Sequence, residues 1–158
     1  MNKTEVLQHI HETGLIPVVR AESAELAVQA VEAIKAGGIH VLEVTMTVPG
    51  ALGVIEQLTN MFGAETLVGA GTVLDPETAK QCIEAGAQFV VSPALNEDTI
   101  AFCRNHDVAV FPGALTPTEV VRAWKAGADA VKIFPASAVG GASYLKSLKA
   151  PLPQIELI

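Results

Sequence analysis

The run Lys125-Ala126-Gly127-Ala128-Asp129-Ala130-Val131-Lys132-Ile133-Phe134 carries a helix end straight into a strand. Gly127 suits the close of a helix, because glycine takes the left-handed conformation there without a Cβ penalty. Ala130 to Phe134 is apolar on both faces, the pattern of a strand covered on both sides in an α/β protein. The same join recurs as Lys35-Ala36-Gly37-Gly38 and as Glu84-Ala85-Gly86-Ala87, each followed at once by an apolar run. Such recurrence implies a βα unit repeated every roughly 20–25 residues. Strict alternation with no antiparallel hairpin signal implies a parallel sheet.

Working outward, residues 3–13 form a leading helix with Val6, Leu7 and Ile10 at helical spacing, ended by Gly14. Strands are expected at 15–19, 39–45, 67–70, 88–91, 108–111, 129–134 and 154–158. Ser23, Asp75-Pro76, Asn96 and Thr116-Pro117 read as helix starts, Pro49 marks another, and Gly140-Gly141 precedes a short helix to about Lys149. Two architectures fit, a doubly wound open sheet and a TIM-type (β/α)8 barrel. No Gly-x-Gly-x-x-Gly opens the first helix, which weighs against a dinucleotide-binding sheet, and the regularity of the units favours the barrel. A barrel has eight strands and seven are legible, so residues 1–158 are read as a single barrel domain, incomplete at its C-terminal side. The eighth βα unit is expected beyond Ile158 or from a partner.

Half of the 158 residues are apolar, enough for one sizeable core. A net charge of −7 argues against a nucleic-acid surface and means that any anion site rests on local groups. Cys82 and Cys103 fall in helices and read as small buried hydrophobes rather than a disulfide. No apolar stretch is long enough for a membrane span and no signal-peptide core is present, so a cytoplasmic protein with no membrane partner is expected.

In a barrel of this kind the chemistry sits at the C-terminal ends of the strands. Those ends carry Arg20, then Glu43, Thr45 and Thr47, then Thr72, Ser92-Pro93, Pro112-Gly113, and finally Lys132 with Phe134. A buried ammonium group is costly unless it is paired or gives up its proton, and a neutral lysine amine attacks carbonyls. The plainer reading of a strand lysine is a buried stem with its head in water. Alternation puts Glu43 on the face of Val41 and Thr45, and Lys132 on the face of Ala130 and Phe134. If both faces point inward, amine and carboxylate meet. A salt bridge that only holds register is the structural alternative. A lysine nucleophile, a carboxylate for proton transfer and an arginine for an anion at equivalent strand ends argue against a purely structural coincidence.

Glu43-Val44-Thr45, Val68-Gly69-Ala70-Gly71-Thr72-Val73, Ser92-Pro93, Phe111-Pro112-Gly113 and Val131-Lys132-Ile133-Phe134-Pro135-Ala136 resemble, in order and over nearly the whole chain, the motifs of the 2-keto-3-deoxy-6-phosphogluconate (KDPG) and 4-hydroxy-2-oxoglutarate (KHG) aldolases. The resemblance implies a class I aldolase without metal or cofactor, on a barrel that forms homotrimers and acts on small keto-acid substrates, phosphorylated or not. It implies Lys132 as the Schiff-base residue and Glu43 as the proton shuttle. By the same likeness Thr72 lines the site, and Pro93 and Phe134 shape its apolar wall. Many members carry an arginine just after the glutamate, where this chain has Met46-Thr47-Val48-Pro49. The resemblance to other members then makes Arg20 the carboxylate clamp, with Thr47 assisting. A guanidinium matches a carboxylate in a planar bidentate fit. The family's main phosphate loops correspond to positions beyond Ile158, and Gly140-Gly141 is the comparable feature within this chain. The implied reaction is cleavage of KDPG to pyruvate and glyceraldehyde 3-phosphate, with KHG cleavage to pyruvate and glyoxylate as a side activity. The likeness leaves the C4 stereochemistry open. A non-catalytic assembly module, or another phosphate-sugar barrel enzyme with no need for a lysine in mid-strand, are the alternatives.

Overall fold

The computed structural model describes residues 1–158. Helix α1 (Lys3–Thr13) starts at Asn2 with a reciprocal capping box to Glu5 and ends at Gly14 in the left-handed conformation. Strands β1 (Val18–Val19), β2 (Val41–Thr45), β3 (Leu67–Gly71), β4 (Phe89–Val91) and β5 (Ala109–Phe111) alternate with helices α2 (Ala24–Ala36), α3 (Ala51–Phe62), α4 (Pro76–Glu84) and α5 (Glu97–Asn105). Then come β6 (Gly113–Ala114), α6 (Pro117–Ala126), β7 (Lys132–Ile133) and α7 (Ala142–Lys149). Ser23, Asp75, Asn96 and Thr116 cap their helices with side-chain oxygens, as their positions in the sequence imply. Pro49 does not open α3. The helix starts at Ala51, after Gly50 turns the chain at φ 68° with no side-chain cap.

All pairings are parallel. The sheet runs β1-β2-β3-β4-β5, and β6 pairs with β7. Two strand expectations are corrected. The fifth strand does not stop at Phe111 but resumes as β6, because Pro112 has no N–H and interrupts the ladder without ending the extended path. β7 follows that whole path, with Asp129 N–H donating to Val110 O, Lys132 N–H to Pro112 O and Phe134 N–H to Ala114 O. The segment 154–158 pairs only at its end, where Ile133 N–H also donates to Ile158 O. It makes one bridge, Val131 to Leu157, with Val131 N–H donating to Glu156 O and Ile158 N–H to Val131 O. Pro151 and Pro153 bring it in through a turn that leaves little length to pair.

The sheet curls. Glu43 on β2 and Lys132 on β7 stand 3.6 Å apart. Four strand spacings across a flat sheet would separate them by roughly 19 Å. The outer face, with Leu42, Val44, Val68, Ala70, Val90 and Val110, packs on the apolar sides of α2 to α5. The inner face gathers Val41, Leu67, Phe89, Val91, Ala109, Phe111 and Ala130, with Val6 of α1 packed beneath them. Gly69 makes this layer possible, since a Cβ there would lie 2.2 Å from the Phe89 ring. Lys3 reaches Asp129 at 2.7 Å, and the same carboxylate accepts from Val110 N–H at 2.9 Å, so α1 is pinned across the N-terminal ends of the strands.

The curl does not meet itself. Between β1 and residues 156–158 lies a seam, bordered by the exposed Val18 and Ile158. Behind it a cavity of about 820 Å³ runs past Leu7, Ile10 and Ile16 inward to Glu43 and Lys132. Cys82 and Cys103 are buried and unpaired. No helix is long and apolar enough to cross a membrane.

Candidate active site

Glu43 sits in the middle of β2, 2% exposed, on the inner face. Register puts it beside Gly69, and puts Thr45 beside Gly71. The absence of a side chain at Gly71 makes room for the carboxyl group, because a Cβ there would stand 2.5 Å from Glu43 Oε1. That oxygen is buried without a hydrogen-bond partner. The Lys132 Nζ at 3.6 Å is an ion-pair neighbour beyond hydrogen-bond reach. Burial pushes the Glu43 carboxyl above its ordinary value, while the charges of Lys132 and Arg20 pull it back. The result is a carboxyl group with a free lone pair, held beside an amine and suited to take a proton and return it.

Lys132 is half-buried, with its amine 5.7 Å from the centre of the Phe134 ring. The ring is 42% exposed and stands at the rim rather than inside. Arg20 is exposed and forms no ion pair, yet its charge reaches Glu43. Thr47 is exposed and lies 2.7 Å from the buried Thr45 hydroxyl. Thr72 ends β3 half-buried at φ 60°, a strained conformation for a β-branched residue. Pro93 follows β4 and packs so closely on β6 that a Cβ at Gly113 would stand 2.2 Å from its carbonyl carbon. Gly113 in turn pairs with Lys132. Arg20, Thr47, Thr72, Pro93 and Phe134 follow their strands at the C-terminal end of the sheet, and Glu43 lies within β2. Lys132 and Glu43 meet there, Phe134 adjoins them and Arg20 acts through its charge. Thr47 connects through Thr45, and Thr72 and Pro93 line the neighbouring strand ends.

Sequence reasoning missed the glycines that shape the space. Gly71 and Gly113 break apolar runs, and a glycine inside a strand often marks close approach. Thr45, counted among the strand-end residues but given no role of its own, has a buried side chain that donates to Val19 O. The turn at Gly140-Gly141 takes φ 111° and 58° before α7, and the Ser143 hydroxyl donates back to Gly140 O. No three His, Cys, Asp or Glu side chains converge as metal ligands would.

The family model for KDPG and KHG aldolase matches residues 6–158. The 2-dehydro-3-deoxy-phosphogluconate aldolase of Treponema pallidum is 38% identical over 153 residues, which span 97% of this chain and 72% of that protein. The KHG/KDPG aldolase of Escherichia coli is 36% identical over 149 residues, 94% of this chain and 70% of its own length. Among solved structures, a KDPG aldolase from Legionella pneumophila with pyruvate captured as a covalent carbinolamine intermediate is 36% identical. It superposes with a TM-score of 0.83 over 90% of this chain and 68% of that one. With the match running almost from end to end, this chain belongs to the KDPG and KHG aldolase family.

Proposed function

We propose that the chain is a class I aldolase that cleaves KDPG to pyruvate and glyceraldehyde 3-phosphate, and KHG to pyruvate and glyoxylate. The observation that carries this is the 3.6 Å pair of Lys132 amine and Glu43 carboxyl inside a curled, apolar sheet. The Lys132 amine adds to the C2 ketone, giving a carbinolamine that loses water to an iminium ion. Glu43, as carboxylate, takes the proton of the C4 hydroxyl. The C3–C4 bond then breaks, its electron pair flows into the iminium, and the aldehyde leaves behind an enamine. Glu43 returns the proton to C3, and water releases pyruvate from the lysine.

Arg20 holds the substrate carboxylate from the end of β1. Thr72 hydrogen-bonds the bound keto acid, while Pro93 and Phe134 bound its apolar side. The curl and its seam support a TIM-type barrel in which residues 1–158 form one domain, with a further βα unit fitting between β1 and residues 156–158. We extend the reading to a homotrimer. Exposed Leu74 and Trp124 supply apolar surface for it, and light scattering measures its mass.

The test is incubation with pyruvate and borohydride, followed by peptide mapping. A reduced pyruvate adduct on Lys132, absent from Lys132→Ala, is expected. An adduct elsewhere, or none, overturns the assignment. Offering the gluconate- and galactonate-derived substrates in parallel settles the C4 preference.

A further inference from the structure

Glu43 has a neighbour on each adjacent strand. Register sets Gly69 of β3 on one side of it and Val18 of β1 on the other. Residues opposite each other in a parallel pair point to the same face, about 4.8 Å apart across the strands. Gly69 offers no side chain, so Val18 is the lateral neighbour that the Glu43 side chain meets. Both residues line the cavity that reaches Lys132. Val18 is 41% exposed and Glu43 only 2%, so on this side the valine, and not the carboxyl group, meets the open space.

Glu43 Oε1 is buried with no hydrogen-bond partner. A strand holds threonine as readily as valine, and threonine carries a hydroxyl in place of one methyl. Threonine at position 18 would bring a donor beside the carboxyl group with little change of shape, yet the chain has valine there. We propose that Val18 is a positioning residue for proton transfer. Its methyl groups deny Glu43 a hydrogen-bond donor from β1 and so keep a lone pair open to the substrate's proton. This rests on the reading of Glu43 as the group that carries the proton. A carboxylate that already accepts a hydrogen bond is the weaker base, because the bond favours its charged form. Lys132 from β7 and Arg20 from the end of β1 are the charges that act on Glu43, and His11, Asp129 and Glu156 line the same cavity. Substitution at position 18 leaves all five in place, so a change in pH dependence reports the side chain at 18.

The experiment compares wild type, Val18→Thr and Val18→Ile in deuterium exchange into the methyl group of pyruvate, read by NMR at saturating pyruvate across the acid limb of the pH profile. In each exchange the Glu43 carboxylate takes a proton from the methyl carbon of the iminium. The C–H electron pair passes into the C=N bond to give the enamine, and a deuteron returns to the same carbon. At saturation the profile reports groups of the imine complex. In Val18→Thr the acid limb should move to lower pH by about one unit, the effect of one hydrogen bond to a charged acceptor. Val18→Ile, larger but without a donor, should keep the wild-type limb. Half-saturation of borohydride trapping on Lys132 should be the same in all three. A Val18→Thr limb that overlies wild type overturns the proposal. So does an equal shift in Val18→Ile, which would mean a disturbed sheet edge rather than a new donor. Exchange by Glu43→Gln at the wild-type rate would remove Glu43 as the proton carrier, and this proposal with it.

Discussion

Gly71→Ala isolates proton transfer from imine formation. The backbone tolerates the change, since Gly71 is not among the residues at positive φ. The added methyl meets Glu43 instead. It would stand 2.5 Å from Oε1 and 2.9 Å from Cδ, with the Thr45 methyl 3.3 Å away on its other side. Carbon and oxygen sit comfortably at about 3.3 Å or more, so the carboxyl group must retreat by roughly 0.8 Å. Overpacking of this kind costs about 1–3 kcal/mol of stability, which a cooperative fold of this size should survive. A displacement near 1 Å at a reacting group lowers the rate by about 10²-fold. The assay is deuterium exchange into the pyruvate methyl group followed by NMR, because each exchange needs a proton taken from the iminium and returned to the enamine. Borohydride trapping on the same samples counts imine formation. Exchange should fall by about 10²-fold while the Lys132 adduct still forms. Wild-type exchange in folded Gly71→Ala protein would show that Glu43 is not the group moving the proton.

Glu43→Gln tests the electrostatics of the same residue. Burial raises the Glu43 carboxyl, so the folded state holds its proton more tightly than the unfolded chain does. The stability that this supplies is fully present below the ordinary value of 4.5 and is lost as pH rises through the raised one. Glu43→Gln should therefore gain on wild type in Tm as pH climbs from the ordinary value through the raised one and then level off, and a constant difference across that range would refute the cause. Burial also pushes the Cys82 thiol up to about 11 and the Cys103 thiol to about 12. Thiol reagents at mildly alkaline pH should modify both only as fast as the protein opens, and rapid labelling of the folded state would contradict the packing. Asp129→Ala removes the acceptor of Val110 N–H and the partner of Lys3. It should cost about 1–3 kcal/mol in urea unfolding, and a loss below experimental error would show that α1 is held by its apolar contacts alone.

Helix starts were legible because each cap is a local hydrogen bond. Ser23, Asp75, Asn96 and Thr116 satisfy backbone groups three residues away, whatever the rest of the chain does. The inward faces of β2 and β7 were legible for a similar reason, since alternation is a property of the strand itself. Strand extents were not. Whether residues 154–158 form a ladder depends on what lies beside them, and Pro112 interrupts a ladder only through a partner strand. Lys132 and Glu43 announced themselves as charges in apolar runs. Gly71 did not, because its meaning lies in a carboxyl group 28 positions earlier in the chain that folding brings against it.

The cavity behind the seam between β1 and residues 156–158 gives water a side path to Lys132 and Glu43. On the aldolase reading, an iminium on Lys132 is open to hydrolysis by water that reaches it, whereas the enamine first needs a proton at C3, and the cavity behind the seam reaches that amine from the side. Each covalent intermediate therefore chooses between going forward and being intercepted, and the odds depend on how tightly the wall is shut. A segment laid against the two free edges would lengthen the intermediate's lifetime without touching a single group that handles a proton or a carboxylate.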